Sequence, residues 1–231
     1  MKLTLLLMTC FLICASFLMP GDYSFEEILN KEKELVFFDS CTGNWENHWI
    51  LDGKEAKIEN SDSGMNFIAG PNLGNDTSHA VLWAKEQFEG NIIIQYEYTR
   101  TDSTIRFVNI LYFLATGKDT DGYHKDIFKW NDKRVVPHMR TYYNNINTYH
   151  ISYAAWGQNN SGKDNDYIRM RRYMPQDNTG LSNTVIEGDY SNTGLFNTGE
   201  TFMITVIKYN EKVWMNIESK SDKNKKLLCE W

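Results

Sequence analysis

Short segments rich in β-branched and aromatic residues recur along this chain, with turn sequences between them instead of amphipathic helices. The clearest segments are 92–99, 107–115, 149–156, 167–173, 202–209 and 212–218. Turn dipeptides such as Asp52-Gly53 and Asp121-Gly122 separate the segments, and none of the four prolines interrupts them. Such residues favour strands, and short turns favour antiparallel pairing. Because neither a long helical period nor βαβ alternation is present, we predict an all-β fold, a two-sheet antiparallel β-sandwich or jelly roll.

Three further segments add detail to this prediction. Ser24 is followed three residues later by Glu27, which is the pattern of a capped helix start, so a short helix is predicted over 24–29. The apolar run 107–115 is typical of a strand buried on both faces. Residues 226–231 read as the opening of another strand, and we expect a final strand pair to be lacking after it.

The first twenty residues are predicted to be a signal peptide outside the fold. Lys2 precedes an apolar run over 3–19, and a basic start before such a short run is typical of secretory signals. The run is at the lower limit for spanning a bilayer, so we expect its removal. The mature chain is then secreted, periplasmic or located at the cell envelope of a bacterium. A lipoprotein modified on Cys10 or Cys14 is the alternative, although the residues before both cysteines fit that modification poorly.

Size and charge restrict the domain organisation and the partners. Residues 21–231 suit a single β-jelly-roll domain, because sandwiches of this size commonly form one domain. A net charge of −6 repels phosphate backbones, so we expect no nucleic acid partner. An anionic sugar remains a suitable partner wherever arginines gather locally. We expect a monomer with no membrane contact beyond the signal or a lipid anchor.

Two cysteines, Cys41 and Cys229, remain after removal of the signal. They lie near the two ends of the mature chain, where first and last strands are often neighbours, so a disulfide is one reading. Two free thiols are the favoured reading. No spacing of Cys and His residues suggests zinc, and we predict no cofactor, with a structural calcium ion left open.

The densest group of chemically active side chains lies in two neighbouring predicted strands. Side chains alternate between the two faces of a strand, so Tyr149 and Tyr153 share one face of the first strand with Ile151. Burial of Ile151, Ile168 and Met170 between the sheets is one consistent arrangement. The opposite face would then be open to solvent and would present a common set: His150, Ser152, Trp156, Arg169, Arg171 and Tyr173.

This set has the chemistry needed for β-elimination on a uronate. The C5 proton of a uronate is acidic only when its carboxylate is neutralised, and the forked guanidinium groups of Arg169 and Arg171 suit that task. His150 is the first candidate for the base and acid, since histidine transfers protons near neutral pH. The tyrosine candidates for the same role are Tyr149, Tyr153 and Tyr173. The expected substrate-binding residues are Arg169, Arg171, Trp156, Ser152, His138 and Arg140, of which the last two lie in a predicted loop.

Each assignment has an alternative. A histidine on a strand more often serves only as a hydrogen-bonding residue, and Arg169 and Arg171 could pair with acidic residues on a neighbouring strand. A non-catalytic carbohydrate-binding module and a structural envelope protein are therefore the rival functions. A glycoside hydrolase is a weaker reading, because it needs two carboxylates about 5–10 Å apart and no strand carries such a pair. A nucleophile elbow for Ser/His/Asp catalysis is also missing.

Several stretches of the sequence resemble the DUF1961 family, whose members have a concanavalin A-like (galectin-like) jelly roll. They are Trp49-Ile50-Leu51-Asp52-Gly53, Met65-Asn66-Phe67, His79-Ala80-Val81-Leu82-Trp83, Phe88-Glu89-Gly90 and Asn145-Ile146-Asn147-Thr148-Tyr149-His150-Ile151-Ser152-Tyr153. The family occurs among genes for breaking down uronate-containing plant or algal polysaccharides. The resemblance thus implies a carbohydrate context more firmly than a reaction. A lyase or dehydratase is the activity that the cluster of His, Arg and aromatic residues on one strand face favours. Family members also continue past Trp231 into a Gly-rich strand carrying an Arg.

Overall fold

The computed structural model describes residues 23–156, 166–177 and 180–231, so the predicted signal peptide lies outside the described residues. These residues form two α-helices, α1 (Phe25–Leu29) and α2 (Met139–Asn145), five 3-10 helices and twelve strands. The 3-10 helices are Trp45–Asn47, Asp76–Ser78, Ile127–Arg134, Pro175–Asp177 and Ser182–Thr184. The strands are β1 (Trp49–Asp52), β2 (Lys57–Ser61), β3 (Gly64–Ile68), β4 (Val81–Ala84), β5 (Ile92–Thr99), β6 (Phe107–Gly117), β7 (Ile146–Trp156), β8 (Asp166–Tyr173), β9 (Tyr190–Ser191), β10 (Thr201–Tyr209), β11 (Lys212–Ser219) and β12 (Lys226–Glu230).

Two four-stranded antiparallel sheets form a sandwich, which confirms the predicted all-β fold. One sheet has the strand order β12-β11-β10-β5, and the other has the order β6-β7-β8-β9. Their facing sides enclose the main core, which contains Ile151, Ile168 and Met170 as predicted. The other buried members of the main core are Phe113, Tyr153, Ala154, Leu195, Phe196, Phe202, Ile204, Val206, Val213, Met215, Ile217 and Cys229.

Local predictions were accurate where one segment contains the whole signal. Helix α1 begins with the expected capping box, in which Ser24 and Glu27 each accept a hydrogen bond from the other's backbone. Strand β12 pairs with β11, as the apolar residues at 226–231 predicted. Burial of β6 on both faces was wrong. Among the described residues this strand pairs with β7 alone, and Val108 is 37% exposed.

A β-bulge in β7 changes which side of the sheet its last residues face. The register with β8 shifts between Ser152 and Ala155, and Ala154 has a positive φ of 41°. A bulge adds one residue to one strand, so side chains beyond it exchange faces. Trp156 consequently packs against the main core. The predicted position of Trp156 on the same face as His150 was therefore wrong.

A third layer covers one end of the outer face of the β6-β7-β8-β9 sheet. The layer consists of the β1-β4 pair, the 3-10 helix Ile127–Arg134 and α2, and it packs onto the sheet through a second core. The buried members of the second core are Trp83, Ile127, Trp130, Tyr142, Ile146 and Tyr173. Tyr112 of β6 stacks on Tyr142 with ring centroids 5.7 Å apart, which joins α2 to the sheet.

A buried carboxylate holds this layer together. Asp52 Oδ2 accepts hydrogen bonds from Trp83 Nε1 at 2.7 Å, Arg134 Nε at 2.6 Å and Tyr142 Oη at 2.9 Å. Asp52 is 1% exposed and Arg134 is 0% exposed. Burial raises the pKa of Asp52, although all three donors act in the opposite direction. One acidic side chain therefore links β1, β4, the 3-10 helix and α2.

Both described cysteines are free thiols, in agreement with the favoured prediction. Cys229 is buried in the main core, and burial raises the pKa of its thiol to about 12. Within the described ranges, no helix has the length and apolar character needed to cross a membrane.

Candidate functional site

The register of β7 and β8 brings the predicted His and Arg residues together. His150 lies directly opposite Arg171, and Ser152 lies directly opposite Arg169. Ile151 and Met170, which also form a cross-strand pair, face the main core. Alternation along paired strands therefore predicted this part of the cluster correctly.

The expectation that this face is open to solvent was wrong for His150, Ser152 and Tyr173, which are all buried. The His150 side chain is 3% exposed, and both of its ring nitrogens are engaged. Nδ1 lies 2.5 Å from Tyr173 Oη, and Nε2 lies 2.8 Å from Ser152 Oγ. Met139 of α2 lies above this group, with its sulfur 3.7 Å from Tyr173 Oη. Helix α2 separates His150 from solvent, so His150 cannot act as the base for a bound sugar.

Burial also removes the basicity that the prediction needed. Loss of solvation and the nearby Arg171 and Arg169 guanidinium groups lower the pKa of His150 to about 3. The imidazole is therefore neutral throughout the ordinary pH range. Its two hydrogen bonds hold Tyr173 and Ser152 in place. This is the purely structural role that the sequence left as the alternative to catalysis.

The neutral state of His150 makes folding stability depend on pH. Below its ordinary pKa of about 6.5, the unfolded chain binds a proton at this residue that the folded chain does not bind until pH falls to about 3. Acidification from pH 7 to pH 5 should thus lower the free energy of unfolding by about 2 kcal/mol through this group. Urea titrations at both pH values measure the loss. A His150→Gln variant should lack this contribution, and an unchanged pH dependence in that variant would contradict the assignment.

The remaining predicted tyrosines face the main core. Tyr149 stacks on Phe113 with ring centroids 5.2 Å apart. Tyr153 is buried, and loss of solvation raises its pKa to about 12. The catalytic roles suggested for Tyr149, Tyr153 and the buried Tyr173 are therefore not supported by their positions.

The two predicted carboxylate-binding arginines already have partners within the fold. Arg169 forms an ion pair with Asp189: its single Nε–H is shared between the two carboxylate oxygens at 2.8 and 3.0 Å, and Nη2 donates to Oδ2 at 2.5 Å. Arg171 Nη1 donates to the Leu181 carbonyl at 2.7 Å and to Thr184 Oγ1 at 3.2 Å. The alternative prediction, that the arginines pair with acidic residues of the protein itself, is correct for Arg169. Arg171 instead holds Leu181 and Thr184, in the segment after β8, through these hydrogen bonds.

His138 and Arg140 line an open cleft on the outer side of α2. The cleft has a volume of about 1110 Å³ and lies between α2, residues 118–123 and a wall formed by Pro175, Gln176 and Leu181. Arg140 belongs to α2, and His138 is the residue that immediately precedes this helix. The prediction of a loop at these two residues was therefore wrong. Arg140 and Tyr143 are three residues apart on this helix and therefore share a face. Tyr142 of the same helix belongs to the second core, and the Met139 sulfur contacts the sheet, 3.7 Å from Tyr173 Oη.

Asp76 orients the His138 imidazole in this cleft. Asp76 Oδ2 lies 2.7 Å from His138 Nδ1, and Nε2 has no hydrogen-bond partner among the described residues. Asn75 fixes the position of Asp76 by capping the 3-10 helix Asp76–Ser78, since its side chain accepts from the Thr77 N–H at 3.0 Å. A carboxylate on one imidazole nitrogen leaves the other nitrogen as the proton acceptor. His138 is 55% exposed and Asp76 is 46% exposed, so a ligand in the cleft can reach the pair.

The charged groups in the cleft differ in whether they have partners. Lys118 pairs with Asp121 at 3.0 Å, and Asp76 pairs with His138. The Arg140 side chain is exposed and makes no hydrogen bond or ion pair within the described part of the chain. The cleft therefore offers an unpaired guanidinium and an oriented imidazole together.

Sequence reasoning missed Asp76 and Tyr143. The Asn75-Asp76-Thr77-Ser78 stretch carries a capping signal that could have located a short helix, but nothing local links it to a residue 62 positions later. Tyr143 could have been placed beside Arg140 once α2 was recognised as a helix.

Comparisons with known proteins identified no relative of this chain. Neither the family models, the curated proteins nor the solved structures gave a match to this chain. In the described residues, no three His, Cys, Asp or Glu side chains form a group that could hold a metal ion. The candidate site therefore rests on its own geometry.

Proposed function

We propose that this protein is a secreted carbohydrate-active protein that binds uronate-containing plant or algal oligosaccharides or polysaccharides in the α2 cleft and cleaves them by β-elimination. The observation that carries the proposal is that the oriented His138/Asp76 pair and the unpaired Arg140 line one open cleft. This keeps the reaction class favoured by the sequence and moves the base from His150 to His138. Membership of the DUF1961 family, with its carbohydrate context, stays a prediction that agrees with this function.

Arg140 supplies the recognition of an anionic sugar. A guanidinium forms two parallel hydrogen bonds with a carboxylate, and an unpaired guanidinium does so without first breaking an internal ion pair. The net charge of −6 makes a local cation the distinguishing feature of an anion-binding surface. Neutralisation of the uronate carboxylate also raises the acidity of the adjacent C5–H bond. The same contact therefore serves binding and reaction.

His138 supplies the base. Its Nε2 removes the C5 proton, and the hydrogen bond from Nδ1 to Asp76 stabilises the imidazolium that forms. The electron pair of the C–H bond forms the C4–C5 double bond, and the oxygen at C4 leaves. The product is an unsaturated uronate when either a glycosidic oxygen or a hydroxyl departs, which covers a lyase and a dehydratase.

A non-catalytic sugar-binding module is the second candidate function. The observation that favours it is the exposure of the His138/Asp76 pair, since catalytic bases usually act in sites from which water is excluded. A binding module needs only the hydrogen-bonding groups and the guanidinium of the cleft. The two functions predict the same affinity for an anionic sugar and differ in whether the sugar is changed.

The test is to incubate the protein with uronate oligosaccharides of pectic and ulvan type and to follow ultraviolet absorbance and product mass. We expect the absorbance of a conjugated unsaturated uronate to rise. The same oligosaccharides with carboxyl groups reduced to alcohols should give no signal and no binding. Binding of the anionic sugars without absorbance or mass change would favour the module, and cleavage without absorbance would indicate hydrolysis.

A matched pair of arginine variants connects this result to the cleft. Arg140→Gln should weaken binding of the anionic oligosaccharide by about ten- to a hundredfold, because a hydrogen bond to a charged group contributes about 1.5–3 kcal/mol. Arg106→Gln is the control, since Arg106 is exposed and does not line the cleft. Equal affinity in the two variants would exclude the cleft as the binding site.

A further inference from the structure

We infer that Tyr143 is the proton donor to the departing oxygen, an assignment that rests on the proposed elimination. An alkoxide is a poor leaving group, so a proton has to reach the oxygen at C4 as its bond to carbon breaks. His138 takes a proton in this step and cannot supply one at the same time. A second group with an O–H or N–H bond is therefore required in the cleft.

Tyr143 has the position that this role requires. Its side chain lines the cleft with His138 and Arg140. It follows Arg140 by three residues in α2, so the two side chains are neighbours on one helix face, about 5–6 Å apart at Cβ. The carboxylate of a uronate is attached to C5, and the departing oxygen is attached to the adjacent C4. A sugar whose carboxylate binds Arg140 thus presents its C4 oxygen near the next position on that helix face.

The Tyr143 hydroxyl is available to a ligand. It makes no hydrogen bond within the described ranges, whereas the hydroxyls of Tyr142 and Tyr173 on the inner side are both engaged. Of the other cleft residues with a proton to donate, Lys118 is paired with Asp121, and the Tyr123 hydroxyl, like that of Tyr143, has no hydrogen-bond partner among the described residues. Tyr143 is the one of these two tyrosines that shares a helix face with Arg140, so it is the donor that the carboxylate contact favours.

The protein holds the Tyr143 ring from behind. The ring makes an edge contact with Tyr173 at a centroid distance of 6.3 Å and an interplanar angle of 75°. Tyr173 is fixed in turn by His150 Nδ1 at 2.5 Å and is fully buried. The buried His150 thus supports the cleft from beneath, although it does not touch the ligand.

The reaction balances with these two residues alone. The C5–H bond breaks and its proton bonds to His138 Nε2, while the electron pair forms the C4–C5 double bond. The C4–O bond breaks, and the leaving oxygen takes the proton of the Tyr143 hydroxyl. The enzyme is left with an imidazolium and a phenolate, and transfer of one proton through water restores both groups.

The test compares leaving groups in a Tyr143→Phe variant, which keeps the ring and its packing on Tyr173. With an oligosaccharide that releases a sugar hydroxyl, kcat should fall by about a hundredfold or more, and KM should not change. With a synthetic uronate that carries a nitrophenoxy group at C4, which departs without protonation, the variant should match the wild type. Tyr209→Phe, outside the cleft on β10, is the control and should behave as the wild type does with both substrates.

Three results would overturn the assignment, and they are distinguishable. Full activity of Tyr143→Phe on the natural leaving group would exclude Tyr143 while leaving the proposed function intact. An equal loss on both substrates would show that the hydroxyl only binds or positions the sugar. No elimination by the wild type would remove the proposed function itself, and this assignment with it.

Discussion

Replacement of His138 by glutamine should reduce kcat/KM for elimination by about a hundredfold to ten-thousandfold, the usual contribution of a general base. Glutamine retains hydrogen-bonding groups close to the place of the imidazole but cannot accept the C5 proton. Binding of the oligosaccharide should persist, because Arg140 provides the contact with the carboxylate. Steady-state rates from ultraviolet absorbance, together with calorimetric binding of the same oligosaccharide, separate the two effects.

The matched control for this variant is His48→Gln. His48 also lies beside a carboxylate, with Nδ1 3.4 Å from Glu86 Oε1, and it is 42% exposed. Because His48 does not line the cleft, its substitution should leave the rate unchanged. Asp76→Asn should also lower kcat/KM for elimination, because it removes the carboxylate that stabilises the imidazolium. Full activity in His138→Gln would contradict the assignment of the base.

The largest effect on stability is expected at Asp52. Asp52→Asn keeps an acceptor oxygen of nearly the same shape but leaves the fully buried Arg134 guanidinium without a counter-charge. Removal of one partner of a buried ion pair costs about 3–5 kcal/mol. Urea unfolding of the variant should therefore show a free energy of unfolding lower by about that amount.

Two controls test whether the effect belongs to the ion pair. Asp62→Asn changes an exposed carboxylate in the turn between β2 and β3 and should change stability by no more than about 0.5 kcal/mol. A double variant with Arg134→Met should recover part of the loss, because it removes the isolated charge as well. If Asp52→Asn lowers the free energy of unfolding by less than about 1 kcal/mol, the Asp52 carboxyl group is not an anion paired with Arg134.

Most of the sandwich could be predicted from the sequence because each long strand contains its own signal. The bounds of β5 agree with the β-branched run at 92–99, and the paired faces of β7 and β8 follow from alternation. The short, half-buried strands β1 to β4 lack such a run, so the third layer was not predicted. The bulge in β7 was not predictable either, because a positive φ at Ala154 has no sequence signal of the kind that glycine gives.

The candidate site depends on contacts that the local pattern does not contain. Helix α2 includes two asparagines, two tyrosines and a threonine in seven residues, which gives a weak helix propensity. Its helical form relies on packing of Tyr142 and Met139 against the sheet. The chemistry of His138 and Arg140 could thus be recognised from the sequence. The sequence did not predict that α2 separates these two residues from His150, because the α2 segment was predicted to be a loop.

The buried members of the main core and of the second core form two separate sets, and the cleft lies on the layer that only the second core supports. Selection can therefore act on ligand preference and on the sandwich separately. Insertions and substitutions in 118–123, in 137–145 and at Pro175, Gln176 and Leu181 reshape the cleft without altering a main-core contact. We expect related chains to keep the sheets while diverging at these three places, so that the ligand of the cleft changes by remodelling of the outer layer while the sandwich is retained.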